Sequence, residues 1–167
     1  MKLPRNASAL AVIAGAVALA YANAPTASFQ FDDWDVIVDQ PKVHSIAAWW
    51  GSMPGMRPLL KLSYALTFTI SPGAMLFHLV NVAIHATSSC LIFALLAKRT
   101  TRSVALIAAL IFALHPVQTE AVTYVSGRSS SLSALFVLLA LYAVGRLSPA
   151  LFAGAIMVKE TAIMAAV

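Results

Sequence analysis

The sequence predicts an all-α membrane protein, with about five transmembrane helices and a long outer loop containing short interfacial helices. Three observations predict it. Of the 167 residues, 60% are hydrophobic and only 10% are charged, where a soluble domain carries about 45–50% and about 25%. The mean hydropathy is +0.85, and the apolar residues gather in runs near the ~20 residues a helix needs to cross a bilayer. The basic residues flank those runs, as membrane topology requires. This excludes a water-soluble globular domain, a disordered chain and a nucleic-acid module, despite the net charge of +5. Residues 1–167 read as a single polytopic membrane domain, and 25–74 as its first outer loop.

The first apolar run is Ala7 to Ala24, preceded by Lys2 and Arg5. Two readings compete for it. It has the basic start, short apolar stretch and small-x-small site (Ala22-Asn23-Ala24) of a cleavable signal peptide, and it also suits a retained helix. Cys90, the single cysteine, lies inside an apolar run and reads as a small packing residue.

Residues 25–74 are the polar exception. They hold four of the six acidic residues (Asp32, Asp33, Asp35, Asp39), all three tryptophans and five of the eight prolines. Proline at this density breaks long helices and sets turns. Pro58 suits the first turn of a helix running to about Ile70. Leu59, Leu60, Tyr64, Ala65 and Phe68 share an apolar side there, which predicts a helix lying in the membrane interface. Trp49-Trp50 suits the headgroup level.

A second span is predicted from about Met75 to Ala97, a third from Ser103 to Val122 and a fourth from Ser131 to Gly145. A fifth begins near Pro149. Alternation of the spans puts Lys2, Arg5, Lys98, Arg99, Arg102 and Arg146 on one side. The positive-inside rule makes that side cytoplasmic, so loop 25–74 and the turn around Gly127 face the periplasm or an organelle lumen.

Charge inside a span costs about 2.5–3.5 kcal/mol per residue on insertion scales, so it points to function. Lys159 and Glu160 fall about ten residues into the predicted fifth span, near mid-depth. Pro116 should kink or end the third span and leave His115 and Glu120 near the outer surface. Arg128 follows in the Ser126-Gly127-Arg128-Ser129 turn, where a guanidinium suits a phosphate or carboxylate. His78, Asn81 and His85 line one face of the second span, with spacing better suited to helix contacts or a cavity wall than to a metal. Adjacent carboxylates such as Asp32 and Asp33 suit a general base or a divalent cation, and both roles stay open.

These pieces occur in a particular order: Phe31-Asp32-Asp33, Arg57-Pro58-Leu59, Phe77-His78-Leu79-Val80-Asn81 and His85. His115-Pro116-Val117-Gln118-Thr119-Glu120-Ala121-Val122, Ser126-Gly127-Arg128-Ser129 and Lys159-Glu160 follow. The order resembles the membrane half of the transmembrane-and-tetratricopeptide-repeat proteins, members of the GT-C superfamily of polytopic glycosyltransferases. The resemblance covers about Tyr21 to Ala162, and the HPVQTEAV run followed by SGRS carries most of its specificity.

The resemblance implies a partial GT-C-like module and a protein O-mannosyltransferase-like, inverting chemistry. A sugar would pass from a polyprenyl-phosphate carrier to a hydroxyl on the outer face. Asp33, or else Asp32, would be the general base on that hydroxyl. Arg57, Arg128 and Lys159 would bind the lipid phosphate and stabilise charge developing on it. Glu120 and Glu160 would hold these cations or assist the base, with His115 and His78 in support. No cofactor is implied beyond an optional divalent cation, and no protein metal site. The partners implied are the lipid-linked sugar donor, membrane lipids and other membrane subunits. The first helix would be retained. Family members carry further spans and often tetratricopeptide repeats. No 34-residue repeat is visible here, so the sequence reads as the N-terminal part or a truncated relative of such an enzyme. The rival reading is a non-catalytic accessory or structural subunit that keeps the scaffold. A small transporter is disfavoured, because no inverted repeat is visible.

Overall fold

The computed structural model of the chain describes residues 6–53, 55–143, 145 and 147–166. Lys2, Arg5 and Arg146, which enter the orientation argument, lie outside them. The described residues form eight α-helices joined by short helical turns, with no strand. Among the described residues, three apolar helical segments are long enough to cross a membrane: Ala7–Thr26, Ala74–Leu96 and Val125–Ala143. Two further apolar helices are shorter, Arg102–Leu114 with 13 residues and Ser148–Val158 with 11. The protein is an integral membrane protein of the helical class.

The first long segment is α1 (Ala7–Ala20) extended by a turn at Ala24–Thr26. It packs against α4 (Ala74–Leu96) and α5 (Arg102–Leu114). Ile13, Val17, Ala105, Ala109 and Ala113 are fully buried there. Small side chains let the backbones approach closely, which is how helices associate where lipid removes the hydrophobic drive between them.

The third predicted span, Ser103–Val122, is interrupted. A residue before proline is pushed out of the helical region, and His115 is extended at φ −67°, ψ 130°. The α5 helix therefore stops at Leu114, and the chain restarts as α6 (Gln118–Thr123). The fourth predicted span corresponds to α7 (Arg128–Ala143).

The fifth predicted span is also corrected. Its helix α8 (Ser148–Val158) ends where Lys159 turns extended at φ −151°, ψ 121°, and a separate turn, Glu160–Ala166, follows. Lys159 and Glu160 thus stand at a helix break rather than midway along a continuous apolar helix. The break frees both side chains to reach polar partners on other elements.

Residues 25–74 form a folded cap. After a helical turn at Trp34–Val38 and the short helix α2 (Ile46–Gly51) comes α3 (Pro58–Ile70), with proline at its first position as the sequence predicts. Its apolar side is turned into protein rather than left in the interface. Leu60 and Tyr64 join Ile37, Val43, Phe77, Val125 and Val158 in one buried cluster, with Leu59 and Phe68 packed on it. That cluster fixes the loop to α4, α7 and α8 and forms the floor of the site.

Candidate functional site

A cavity of about 620 Å³ opens between the cap and the ends of α7 and α8, and its wall includes Asp32, Arg57, Lys61, Glu120, Tyr124 and Lys159. Four of these six are residues the sequence singles out. They come from segments as much as 127 residues apart in sequence, from position 32 to position 159.

The two aspartates play different parts. Asp33 is buried, at 1% exposure. Its Oδ1 accepts the Ser126 N–H at 2.8 Å and the Ser126 hydroxyl at 2.6 Å, and its Oδ2 accepts the Gln30 N–H at 3.0 Å. Its carboxylate is committed to joining the cap to the start of α7. Asp32 is exposed and lines the cavity, while its backbone N–H donates to the Tyr124 hydroxyl at 2.9 Å. Between Gln30 and Asp32 the chain passes through a left-handed Phe31, φ 45°. A bulky side chain rarely adopts that conformation, at a cost on the order of 1–3 kcal/mol. The turn sends the two neighbouring carboxylates to different places.

Arg57 carries the second left-handed backbone, φ 52°, immediately before Pro58. Its Nε and Nη2 donate to the two carboxylate oxygens of Glu160 at 2.9 and 2.5 Å. This fork-to-fork pair joins the start of α3 to the turn after α8. The Arg57 hydrogen bond holds the Glu160 carboxyl down at about 2, and the same bond raises the guanidinium further. Lys159, half-buried, donates from Nζ to the Ser130 hydroxyl at 2.8 Å. Glu120 reaches the wall because Gly127 lets two backbones touch. A Cβ at Gly127 would stand 2.6 Å from the Glu120 carbonyl oxygen. Burial raises the Tyr64 phenol well above its ordinary value, so it stays neutral in the wall.

Arg128 differs from the loop arginine that its sequence context suggests. It is the first residue of α7 and fully buried. Nε donates to Asn81 Oδ1 at 2.7 Å, Nη1 to Thr67 Oγ1 at 3.1 Å and the Ser63 carbonyl at 3.2 Å, and Nη2 to the Phe77 carbonyl at 3.0 Å. The Tyr64 and Phe77 rings lie about it at 5.0 and 5.2 Å. Its donors are spent on α3 and α4, so the guanidinium ties the bundle together and does not line the cavity.

The polar face of α4 serves the same joint. Asn81 also donates to the carbonyls of Tyr124 and Val125, and His85 Nε2 pairs with the Ala113 carbonyl at 2.9 Å. His78 is buried at 1% exposure, and neither ring nitrogen is hydrogen-bonded to a described residue; backbone groups of Ala27 and Thr123 lie near it without reaching hydrogen-bond geometry. His115 is exposed, takes the Val117 N–H on Nδ1, and belongs to a separate apolar groove beside Ile107 and Pro116. No group of three or more His, Cys, Asp or Glu side chains converges among the described residues.

Sequence reasoning passed over Lys61. The available signal was its spacing: it lies one helical turn after Arg57, and residues four apart share a helix face.

A helical bundle with a cavity at one end lined by charged residues from several chain segments defines a polytopic membrane protein. Comparison with known proteins narrows the class. The chain is 32% identical to human Protein O-mannosyl-transferase TMTC3 over 81% of its own length. It is 35% identical to mouse Protein O-mannosyl-transferase TMTC1 over 80%, and 34% identical to Drosophila melanogaster Protein O-mannosyl-transferase Tmtc1 over 93%. The chain spans 16%, 16% and 22% of the length of these three relatives. No family model and no solved structure matches. The chain is thus related to the transmembrane-and-tetratricopeptide-repeat O-mannosyl-transferases, the family its motif order resembles.

Proposed function

We propose that the chain forms the cap and part of the catalytic cavity of a GT-C-type glycosyltransferase. The enzyme moves a sugar, mannose by analogy with the relatives, from polyprenyl phosphate to an acceptor hydroxyl at the periplasmic or lumenal face. The observation that carries this reading is the gathering of Asp32, Arg57, Glu120 and Lys159 around one cavity. Asp32 is the general base, because it lines the cavity and is exposed, while the carboxylate of Asp33 is committed to Ser126 and Gln30.

In this mechanism the acceptor oxygen attacks the anomeric carbon from the face opposite the phosphate. The acceptor proton passes to the Asp32 carboxylate as the bond from the anomeric carbon to the phosphate oxygen breaks. The electron pair leaves with the lipid phosphate, and the sugar is transferred with inversion. Cationic groups in the wall stabilise the charge gathering on that leaving group. Lys98, Arg99 and Arg102 lie at the far end of α4, a helix of 23 residues and so about 35 Å long. This supports a cavity on the face opposite the cytoplasm.

The test is sugar transfer from polyprenyl-phosphate mannose to a hydroxyl-bearing peptide, by the whole polypeptide in bilayer nanodiscs. Asp32→Asn should lower the rate by about 10²–10⁴-fold, the usual worth of a positioned general base. An unchanged rate removes Asp32 from the chemistry, and no transfer by the wild type leaves the non-catalytic scaffold reading in its place. Orientation is read separately: in a Cys90→Ala background, Ser52→Cys should label from outside and Thr100→Cys only from the cytoplasmic side.

A further inference from the structure

We propose that Lys61 is the primary contact for the donor's phosphate, an assignment that rests on the transferase reading above. Three cations line the cavity: Arg57, Lys61 and Lys159. Arg57 is neutralised by Glu160, with both carboxylate oxygens engaged. Lys159 is held on the Ser130 hydroxyl. The Lys61 ammonium makes no hydrogen bond or ion pair with a described residue, although Asp32 and Glu120 line the same cavity.

Its position is defined all the same. The Lys61 N–H donates to the Arg57 carbonyl at 3.1 Å, which sets the residue one turn into α3. Its Nζ would lie 3.8 Å from a Cβ built on Gly55, so the ammonium runs beside the loop that enters the cavity wall. The residue is half-buried. The ammonium lines the cavity without a described hydrogen-bond or ion-pair partner, so its donors are available to a bound anion. A phosphate is the anion suited to a compact, rotatable ammonium, which needs no planar partner. The phosphate could belong to a lipid headgroup or be free in solution, and the experiment separates the two.

The whole polypeptide is placed in phosphatidylcholine nanodiscs and titrated with polyprenyl monophosphate in one arm and inorganic phosphate in the other. Lys61→Gln should weaken binding roughly tenfold, the worth of one charge-assisted hydrogen bond, while Lys61→Arg keeps most of the affinity. Unphosphorylated polyprenol should bind both variants equally. A loss confined to the lipid arm assigns a headgroup, and a loss in the inorganic arm assigns phosphate itself; either supports Lys61 as the contact. Wild-type binding that Lys61→Gln retains in full overturns Lys61 and leaves the transferase reading standing. No binding by the wild type in either arm overturns both.

A second measurement needs no variant. Acetylation of wild-type Lys61 by an N-hydroxysuccinimide ester, read by mass spectrometry, should fall with polyprenyl phosphate but not with polyprenol. Equal labelling in the two overturns the assignment.

Discussion

Asp33 and Ser126, 93 residues apart, meet through two hydrogen bonds to a single carboxylate oxygen, at 2.8 Å from the backbone N–H and 2.6 Å from the hydroxyl. This joint brings the two motif segments FDD and SGRS into one wall and places Asp32 beside the cavity. Asp33→Asn removes the charge and sets an amide N–H₂ against donors, which should cost about 1–3 kcal/mol. Ser126→Ala should cost about 1 kcal/mol, and the double variant less than the sum, because the two share one interaction. Thermal unfolding in detergent measures all three; an Asp33→Asn protein that melts with the wild type contradicts the joint.

Arg128 makes its hydrogen bonds to three carbonyl or amide oxygens and one hydroxyl, all drawn from α3 and α4. Lysine cannot reproduce that planar fork. Arg128→Lys should therefore destabilise the protein by about 2–4 kcal/mol, the range for breaking a buried charge's hydrogen-bond set. The loss should appear in unfolding midpoints and as increased proteolysis of the cap. A change in donor affinity without a loss of stability would point to a binding role instead.

The Arg57–Glu160 pair predicts a pH dependence. Glu160 has its folded pKa depressed to about 2 by the hydrogen bond from Arg57, below the ordinary 4.5. A depressed carboxyl stabilises the fold fully above its ordinary pKa and loses that contribution as pH falls through the depressed one. The stability difference between wild type and Glu160→Gln should be constant above about pH 5 and shrink between about pH 4.5 and 2. The pair is exposed, so the difference should be small and should fall further with added salt. A difference that grows on acidification contradicts the pairing.

Gly127 is needed for a close approach. The first atoms a Cβ meets are backbone: the Glu120 carbonyl oxygen at 2.6 Å and Ala121 Cα at 3.0 Å. Gly127→Ala should destabilise by about 1–3 kcal/mol through overpacking. It should also push Glu120 and Ser126 apart, lowering transfer even where the protein stays folded. Unfolding and rate measured on the same preparation check both effects.

Much of the architecture is legible in local chemistry. Pro58 marks the start of α3 because proline's fixed φ suits a first turn. His115-Pro116 marks the end of α5 because the residue before proline leaves the helical region. The small and apolar residues of α1, α4 and α5 define helices that pack in lipid. The order of the motifs pointed to the family, and the identities with its members agree. The break after Val158 is not legible as a break, since Lys159 and Glu160 sit between two apolar stretches and equally suit charges inside one continuous span.

The sequence by itself determined the class: an apolar, helical membrane protein whose few charges mark the place to look. Only the tertiary structure decided what each charge does. Asp32 and Asp33 are chemically identical neighbours, and they part because Phe31 is left-handed and Ser126 waits 93 residues away. Arg128 turns inward because four acceptors on other helices surround it, Arg57 is taken by Glu160, and the Lys61 ammonium has no partner among the described residues. Local propensity acts over a few residues, whereas the charge a cavity presents depends on partners brought together from across the chain.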